Sequence, residues 1–198
     1  GCNFRLAKKD LLVVFLLSLL RATTSFSLLI AYQNIATGVA STIHFMYPLA
    51  VSLAMMFFFH EKKSLLVMLA VLMSLFGAAL LSSGELEAKS GDTIVGLVAA
   101  CISVFSYGGY IIGVRTARAA QINSTVLTCY VMGMGAVFYL IGAMATFGLH
   151  LVTDGYIWLI ILGLALPATA ISNITLVRAI KYAGPTLTSI LGAMEPLT

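Results

Sequence analysis

Charge is scarce in this sequence. Only 9% of its 198 residues are Asp, Glu, Lys or Arg, whereas an average soluble domain is about 25% charged. Hydrophobic residues make up 61% of the chain, and the mean hydropathy is +1.06. A soluble fold of this composition would have almost no polar surface to present to water. The composition therefore excludes a water-soluble domain and indicates that lipid is the solvent.

Cysteine is also scarce, and the few cysteines are scattered. The chain has three: Cys2 lies at the start, while Cys101 and Cys129 lie inside apolar runs. An odd and scattered set argues against a disulfide framework or a metal site. The net charge is +4, but the basic residues form no patch or stripe, so no nucleic-acid partner is expected.

Motifs of enzyme chemistry are missing as well. An intramembrane enzyme needs a nucleophile with a base, or a metal cluster, and the sequence has no Gly-x-Ser-x-Gly, no HExxH and no paired Asp. Its histidines, His44, His60 and His150, are predicted at different depths. A channel needs a filter or a ring of like residues, and none is visible. We therefore expect a protein that is not an enzyme and needs no cofactor. An intramembrane enzyme and a non-transporting scaffold subunit are kept as the alternative functions.

Long apolar runs are what the sequence has in abundance. A helix that crosses a bilayer needs about 20 apolar residues. Six runs of this length are Leu11–Tyr32, Val39–Phe59, Ser64–Ser82, Thr93–Val114, Thr125–Phe147 and Tyr156–Val177. A seventh begins near Pro185 and stops at Thr198 inside an apolar run, and the chain begins with Gly1. We expect seven membrane-spanning helices in a chain that is a piece of a longer protein.

The basic residues alternate between connections. Nine of the eleven are Arg5, Lys8, Lys9, Lys62, Lys63, Arg115, Arg118, Arg178 and Lys181, all in every second connection. The other connections hold only Lys89. The positive-inside rule therefore places the nine in the cytoplasm, with the connection at 83–92 outside. This pattern predicts a multi-pass protein of the bacterial inner membrane.

The chain also contains a weak internal repeat. A shift of 148 residues aligns Ala31 with Ala179, Ser41 with Ser189, Met46 with Met194, Pro48 with Pro196 and Leu49 with Leu197. Five predicted spans separate equivalent positions, and because five is odd, the two copies should have opposite orientations. Inverted repeats are typical of secondary transporters, whose binding site lies near mid-membrane between the repeats.

Three segments carry a resemblance to a known family. "AYQNIATGVASTIHFMYPLAVSLAMMFFFHEKKS" resembles the fourth-helix region of the EamA family in the drug/metabolite transporter superfamily, with Pro48 at mid-membrane and Glu61 before two lysines. "RAIKYAGPTLTSILGAMEPLT" resembles the ninth-helix region, with Glu195 and Pro196. "LLVMLAVLMSLFGAALLSSG" resembles the fifth helix, with its glycine at Gly77.

The resemblance implies an all-α integral membrane fold, an inverted-repeat helical transporter bundle with seven helices of an expected ten. Residues 1–92 would be the C-terminal part of the first repeat, with three helices. Residues 93–198 would be the N-terminal part of the second, with three helices and a truncated fourth. The implied function is secondary transport of small organic metabolites by alternating access, with export favoured over import. No nucleotide-binding motif is present, so the energy should come from a gradient.

Arg21 is the first candidate for the substrate site, because it lies at the centre of a span. Arginine there costs roughly 2.5–3.5 kcal/mol on insertion scales, so the side chain should face a cavity or a partner. Thr24 and Ser25 follow one turn later. The 148-residue shift carries these residues onto Thr169, Ser172 and Asn173. Both halves thus present polar side chains at one depth, for a cavity or for interhelical hydrogen bonds.

Aromatic side chains within the predicted spans are further candidates for the substrate site. His44 and Tyr47 share a face of the second span, and Tyr107 and Tyr110 share one of the fourth, close to Ser103. Each of these side chains could line a cavity or pack in the core, and the sequence does not decide between the two roles. Pro48, Pro167 and Pro196 should each disturb a helix. The predicted substrate site is one central cavity lined by Arg21, Thr24, Ser25, His44, Tyr47, Tyr107, Tyr110, Thr169, Asn173 and Glu195.

Glu195 has a special place in this set because it is the only acidic residue predicted within a span. An ionised Glu in hydrocarbon is costly, so it must be protonated, paired or facing water. We expect it to be the principal coupling or binding carboxylate, with a structural hydrogen bond as the alternative. The expected partners are a small metabolite, a proton as the coupling ion and the lipid bilayer, and a homodimer stays open.

Overall fold

The computed structural model describes residues 7–60, 69, 72–73, 76, 91–146 and 155–192. Every secondary-structure element in these ranges is helical. The α-helices are α1 Lys8–Asn34, α2 Thr37–His44, α3 Tyr47–Phe58, α4 Thr93–Thr116, α5 Ser124–Thr146, α6 Gly155–Gly163, α7 Ser172–Ala183 and α8 Pro185–Gly192. A 3₁₀ helix, Arg118–Gln121, joins α4 to α5, and a π-helix, Leu164–Ile171, joins α6 to α7. The predicted all-α fold is confirmed.

Four helical stretches are long and apolar enough to cross a membrane. They are Lys8–Asn34, Thr37–Phe58, Thr93–Thr116 and Ser124–Gly142, and they correspond to the first, second, fourth and fifth predicted spans. The third predicted span, Ser64–Ser82, lies almost wholly outside the described residues. Many apolar side chains on the described helices face outward, such as Phe58, which is 79% exposed. Such a surface suits lipid and would aggregate in water.

The second predicted span is divided in two. Helix α2 ends at His44, Phe45 and Met46 form a turn, and α3 begins at Tyr47 with Pro48 in its first turn. Proline has no N–H to donate, so it fits best in the first turn of a helix. The helix is interrupted just before Pro48 by this two-residue turn, whose residues keep right-handed helical backbone angles, and Thr37–Phe58 remains one membrane-spanning stretch. The break places His44 and Tyr47 on either side of a mid-span turn.

Helix geometry also changes around Pro167. This residue lies within the π-helix, which is flanked by α6 and α7. A proline cannot donate to the carbonyl one turn back, and the wider turn of a π-helix is one way to accommodate that loss. Pro196 lies outside the described residues.

The core of the bundle is the contact between α1 and α4, which run antiparallel. At one end the side-chain oxygen of Asn34 accepts a hydrogen bond from the Asp92 amide at 3.0 Å, and at the other Arg118 pairs with Asp10 at 4.0 Å. Between these ends, a Cβ added to Gly96 would lie 2.6 Å from the side chain of Ile35. The small residues of α4 therefore allow α1 to approach closely, as expected for packing glycines.

The two ends of this bundle differ in charge. Arg115 donates a hydrogen bond to the Lys181 carbonyl, and Arg118 pairs with Asp10, so basic residues of two predicted cytoplasmic connections lie at one end together with the start of α1. The contact between Asn34 and Asp92 lies at the other end. This grouping of basic residues at one end agrees with the alternation of Lys and Arg between connections in the sequence. That the basic end faces the cytoplasm stays a prediction.

Candidate functional site

Arg21 lies in the middle of α1 and its charged group is turned toward an aromatic ring. Its guanidinium carbon is 5.4 Å from the centroid of the Tyr107 ring, which is the distance of a cation–π contact. The Nε of Arg21 is buried and has no hydrogen-bond partner. Within the described ranges the recorded ion pair is Arg118 with Asp10, so no described carboxylate neutralises Arg21.

Four rings lie together in what we call the aromatic cluster: His44, Tyr47, Tyr107 and Tyr110. Tyr47 meets Tyr107 edge to face at 4.7 Å, and the His44 ring is 5.6 Å from Tyr47 and 5.5 Å from Tyr107. Tyr107 stacks on Tyr110 at 6.2 Å. Offset and edge-to-face pairs are the preferred arrangements of aromatic rings. The helix break at Pro48 brings His44 and Tyr47 to the same side as the two tyrosines of α4.

A hydrogen bond fixes the orientation of His44. Its Nδ1 lies 2.9 Å from the Ser103 hydroxyl, and that hydroxyl donates its one proton to the Ala100 carbonyl at 2.6 Å. A hydroxyl has a single donor, so Ser103 accepts from His44 and Nδ1 carries a proton. In the neutral ring Nε2 is then an acceptor. His44 thus has a defined tautomer, which we assign from the bond pattern.

A cavity of about 280 Å³ adjoins Arg21 between α1, α5 and the π-helix. This volume is close to the lower end of small-molecule sites. Its lining is Arg21, Ala22, Ser25, Val131, Met132, Gly135, Ala136, Tyr139 and Thr169. Arg21 therefore contacts the aromatic cluster through Tyr107 and also lines this cavity, which we call the arginine cavity.

The remaining predicted site residues are placed differently. The Thr24 hydroxyl is buried and donates to the Leu20 carbonyl at 2.8 Å, so it is satisfied within its own helix. Ser25 bonds to the Arg21 carbonyl at 3.4 Å and also lines the arginine cavity. Thr24 is not in that lining. Glu195 lies outside the described residues.

Thr169 and Asn173 lie where the π-helix passes into α7. Asn173 donates to the Thr169 carbonyl at 2.7 Å, and the Thr169 hydroxyl donates to the Leu164 carbonyl at 3.0 Å. The Asn173 Oδ1 is buried without a hydrogen-bond partner. Thr169 lines the arginine cavity, whereas Asn173 does not.

Sequence reasoning missed the wall that α5 contributes. Val131, Met132, Gly135 and Tyr139 line the arginine cavity, and Tyr139 stacks on Phe26 of α1 at 4.8 Å. The only signal in the sequence is the helical spacing of these residues, which put them on one face of α5. They carry no charge, so nothing separated them from ordinary packing residues.

Long apolar helices with an apolar outer surface define a multi-pass membrane protein. Residues 94–198, more than half of the chain, match the sequence model of the EamA-like transporter family. The chain belongs to this family, and the resemblance in its sequence is confirmed. It is therefore a membrane transporter of the drug/metabolite superfamily. No curated protein and no solved structure gives a significant match.

Proposed function

We propose that this protein is a secondary transporter that moves small organic metabolites carrying an anionic group across the bacterial inner membrane by alternating access. The observation that carries the proposal is Arg21, a guanidinium at mid-span without a described counter-charge and with a buried, unpaired Nε. An unpaired buried charge is costly, and an anionic substrate would offset that cost. Export is favoured over import, as the family resemblance implies.

The aromatic cluster supplies the rest of the proposed substrate site. The half-buried ring of Tyr107 offers an apolar face for a carbon skeleton, with the buried rings of Tyr47 and Tyr110 packed behind it, and Nε2 of neutral His44 offers a hydrogen-bond acceptor. Sites of this kind combine apolar walls with a few polar groups that fix orientation. Ser25 and Thr169, which line the arginine cavity, complete the site on the other side of Arg21, and the buried Thr24 and Asn173 lie behind them in α1 and α7.

Two related halves, residues 1–92 and 93–198, would account for alternating access. The family match begins at Ile94, close to the proposed boundary. Helix α3 of the first half packs against α8 of the second, and a Cβ on Gly192 would lie 2.5 Å from the Tyr47 hydroxyl. The 148-residue shift pairs His44 with Gly192, so equivalent segments meet beside the aromatic cluster. Inverted halves that meet at the site would allow rocking about it.

Glu195 is the proposed coupling carboxylate, with a proton as the coupling ion. It follows Gly192 by one helical turn in sequence, and Gly192 is the residue beside Tyr47. It is the only acidic residue in the predicted spans of this sequence, and an intramembrane carboxylate is a typical proton carrier. The proposal does not fix the oligomeric state, and a homodimer is compatible with it.

Ligand binding to the purified, intact protein tests the proposal. We expect a panel of monocarboxylates and amino acids to contain compounds that raise the unfolding temperature, since a ligand at 100 times its Kd stabilises by about 2.7 kcal/mol. The matching amides and esters, which lack the anion, should not stabilise. Arg21→Gln should abolish the effect and Arg21→Lys should retain part of it, while Lys8→Gln, on the same helix but outside the site, serves as the control. Equal stabilisation by acids and amides would contradict the role of Arg21.

A further inference from the structure

A second cavity lies at the basic end of the bundle and shares no lining residue with the arginine cavity. Its volume is about 460 Å³, and it lies where the ends of α4 and α7 meet the start of α5. Its lining is Arg115, Ala120, Ile122, Asn123, Ser124, Arg178, Lys181 and Tyr182. We call it the basic cavity. Nothing in the proposed transport cycle uses these residues.

The charges around the basic cavity are all positive. Arg115, Arg178 and Lys181 line it, and its lining contains no carboxylate. The acid described at this end of the bundle is Asp10, which pairs with Arg118 at 4.0 Å. Cations that converge on a concave surface without counter-charge create a strong positive potential, which attracts anions.

Two of these cations are held in place by backbone carbonyls. Arg115 donates to the Lys181 carbonyl, and Lys181 donates through Nζ to the Ile122 carbonyl. These bonds fix the side chains across α4, α7 and the connection before α5, but they leave the charges uncompensated. Burial lowers the pKa of the Lys181 ammonium below its usual range, because desolvation disfavours the charged form. A bound anion would reverse part of that cost.

The start of α5 adds to the same field. Helix α5 begins at Ser124, and the Asn123 side chain accepts a hydrogen bond from the Thr125 amide at 3.0 Å. Both Asn123 and Ser124 line the cavity. The positive end of the helix dipole thus lies at the wall of the cavity, where it favours an anion.

We propose that the basic cavity binds a phosphate group, delivered as the headgroup of an anionic phospholipid, with Arg178 as its principal donor. An arginine can contact a phosphate through two parallel hydrogen bonds, and Arg178 has no ion-pair partner in the ranges that the structure covers. Tyr182, which is 88% exposed, lines the cavity, and exposed tyrosines favour the level of lipid headgroups. Basic pockets between helices at the cytoplasmic surface are typical headgroup sites.

Thermal unfolding of the purified, intact protein with added lipid tests the proposal. The probes are phosphatidylglycerol, phosphatidylcholine and soluble glycerol 3-phosphate, and native mass spectrometry counts the lipids retained. We expect phosphatidylglycerol to stabilise the protein more than phosphatidylcholine does. Arg178→Gln should lower its affinity about fivefold, the effect of one cation near a lipid surface, while Arg178→Lys, which keeps the charge but loses the paired hydrogen bonds, should retain only part of the affinity. Lys9→Gln removes a charge from the same end outside the cavity and should change affinity less than twofold.

Each alternative outcome has a distinct meaning. If glycerol 3-phosphate alone stabilises as well as phosphatidylglycerol, and Arg178→Gln removes both effects, the phosphate site stands and its occupant is a soluble phosphate. If phosphatidylglycerol and phosphatidylcholine stabilise equally, the proposal is overturned. It is also overturned if Lys9→Gln weakens binding as much as Arg178→Gln, because the attraction would then be a general surface effect. Arg178 is exposed and bonds to no described carboxylate, so its substitution should not impair folding.

Discussion

At the scale of single residues, the candidate site depends on one polar relay. Ala100 accepts from Ser103, Ser103 accepts from His44, and His44 lies against Tyr47 and Tyr107. Because the Ser103 hydroxyl donates to the Ala100 carbonyl, it accepts from Nδ1 of His44, and Nε2 of the neutral His44 ring is then an acceptor. These two hydrogen bonds therefore decide whether His44 offers the aromatic cluster a donor or an acceptor, which the positions of the rings do not show.

A double-mutant cycle measures this relay. Ser103→Ala should destabilise the protein because the buried Nδ1–H of His44 loses its acceptor. We expect a coupling free energy between Ser103→Ala and His44→Gln of about 0.6–1.7 kcal/mol, the range for hydrogen bonds between membrane helices. Reversible unfolding in mixed micelles gives the four stabilities. Additive effects of the two substitutions would mean that the bond does not contribute.

At the scale of helices, close packing of α1 and the residue after it against α4 explains Gly96 and Gly113, where an added Cβ would lie 2.6 Å from Ile35 and 2.7 Å from Leu17. Gly96 is buried against Asn34 and Ile35, whereas Gly133 of α5 has no atom within 4 Å of an added Cβ. The two positions are both inside helices, so they differ only in their surroundings. They form a natural matched pair for testing the packing.

Alanine at these two glycines should have opposite effects. Gly133→Ala should stabilise the protein by about 0.5–1 kcal/mol, because alanine is the better helix former. Gly96→Ala should destabilise it by about 1–3 kcal/mol, because the new Cβ would lie 2.6 Å from the Ile35 side chain and force the helices apart. Unfolding midpoints of the two variants decide the matter. A stabilising Gly96→Ala would show that α1 and α4 are not packed this closely.

Much of the helical plan could be predicted from the sequence, because hydropathy depends only on local composition. The apolar run from Leu11 to Tyr32 lies within α1, and Pro48 indicated that its helix is irregular. The break itself, with a turn at Phe45 and Met46, required the structure. So did the bond between His44 and Ser103, which are 59 positions apart, since no local pattern encodes which faces of two helices meet.

At the scale of the whole molecule, the contact between α3 and α8 connects the two proposed halves at the site. The nearest atom to a Cβ on Gly192 would be the Tyr47 hydroxyl at 2.5 Å, and the next Tyr47 atom is at 3.8 Å. The hydroxyl oxygen alone is therefore too close. This geometry makes a rescue experiment possible.

Gly192→Ala should displace either Tyr47 or α8 and so weaken ligand binding about tenfold, the equivalent of about 1.4 kcal/mol. The double variant Tyr47→Phe with Gly192→Ala should bind like Tyr47→Phe alone, because removing the hydroxyl removes the clash. Binding is measured by thermal shift with the best ligand of the carboxylate panel. If the double variant is as weak as the sum of both losses, the two residues act independently and the contact is not part of the site.

Transport itself is the most direct test of the central claim that Arg21 holds an anionic substrate within a membrane transporter. The intact protein is reconstituted into vesicles, and the labelled carboxylate that stabilises it best is followed across the membrane with a proton gradient imposed. We predict transport above that of empty vesicles, at least tenfold slower with Arg21→Gln, and unchanged with Lys8→Gln. Transport by Arg21→Gln at the rate of the unaltered protein would contradict the account.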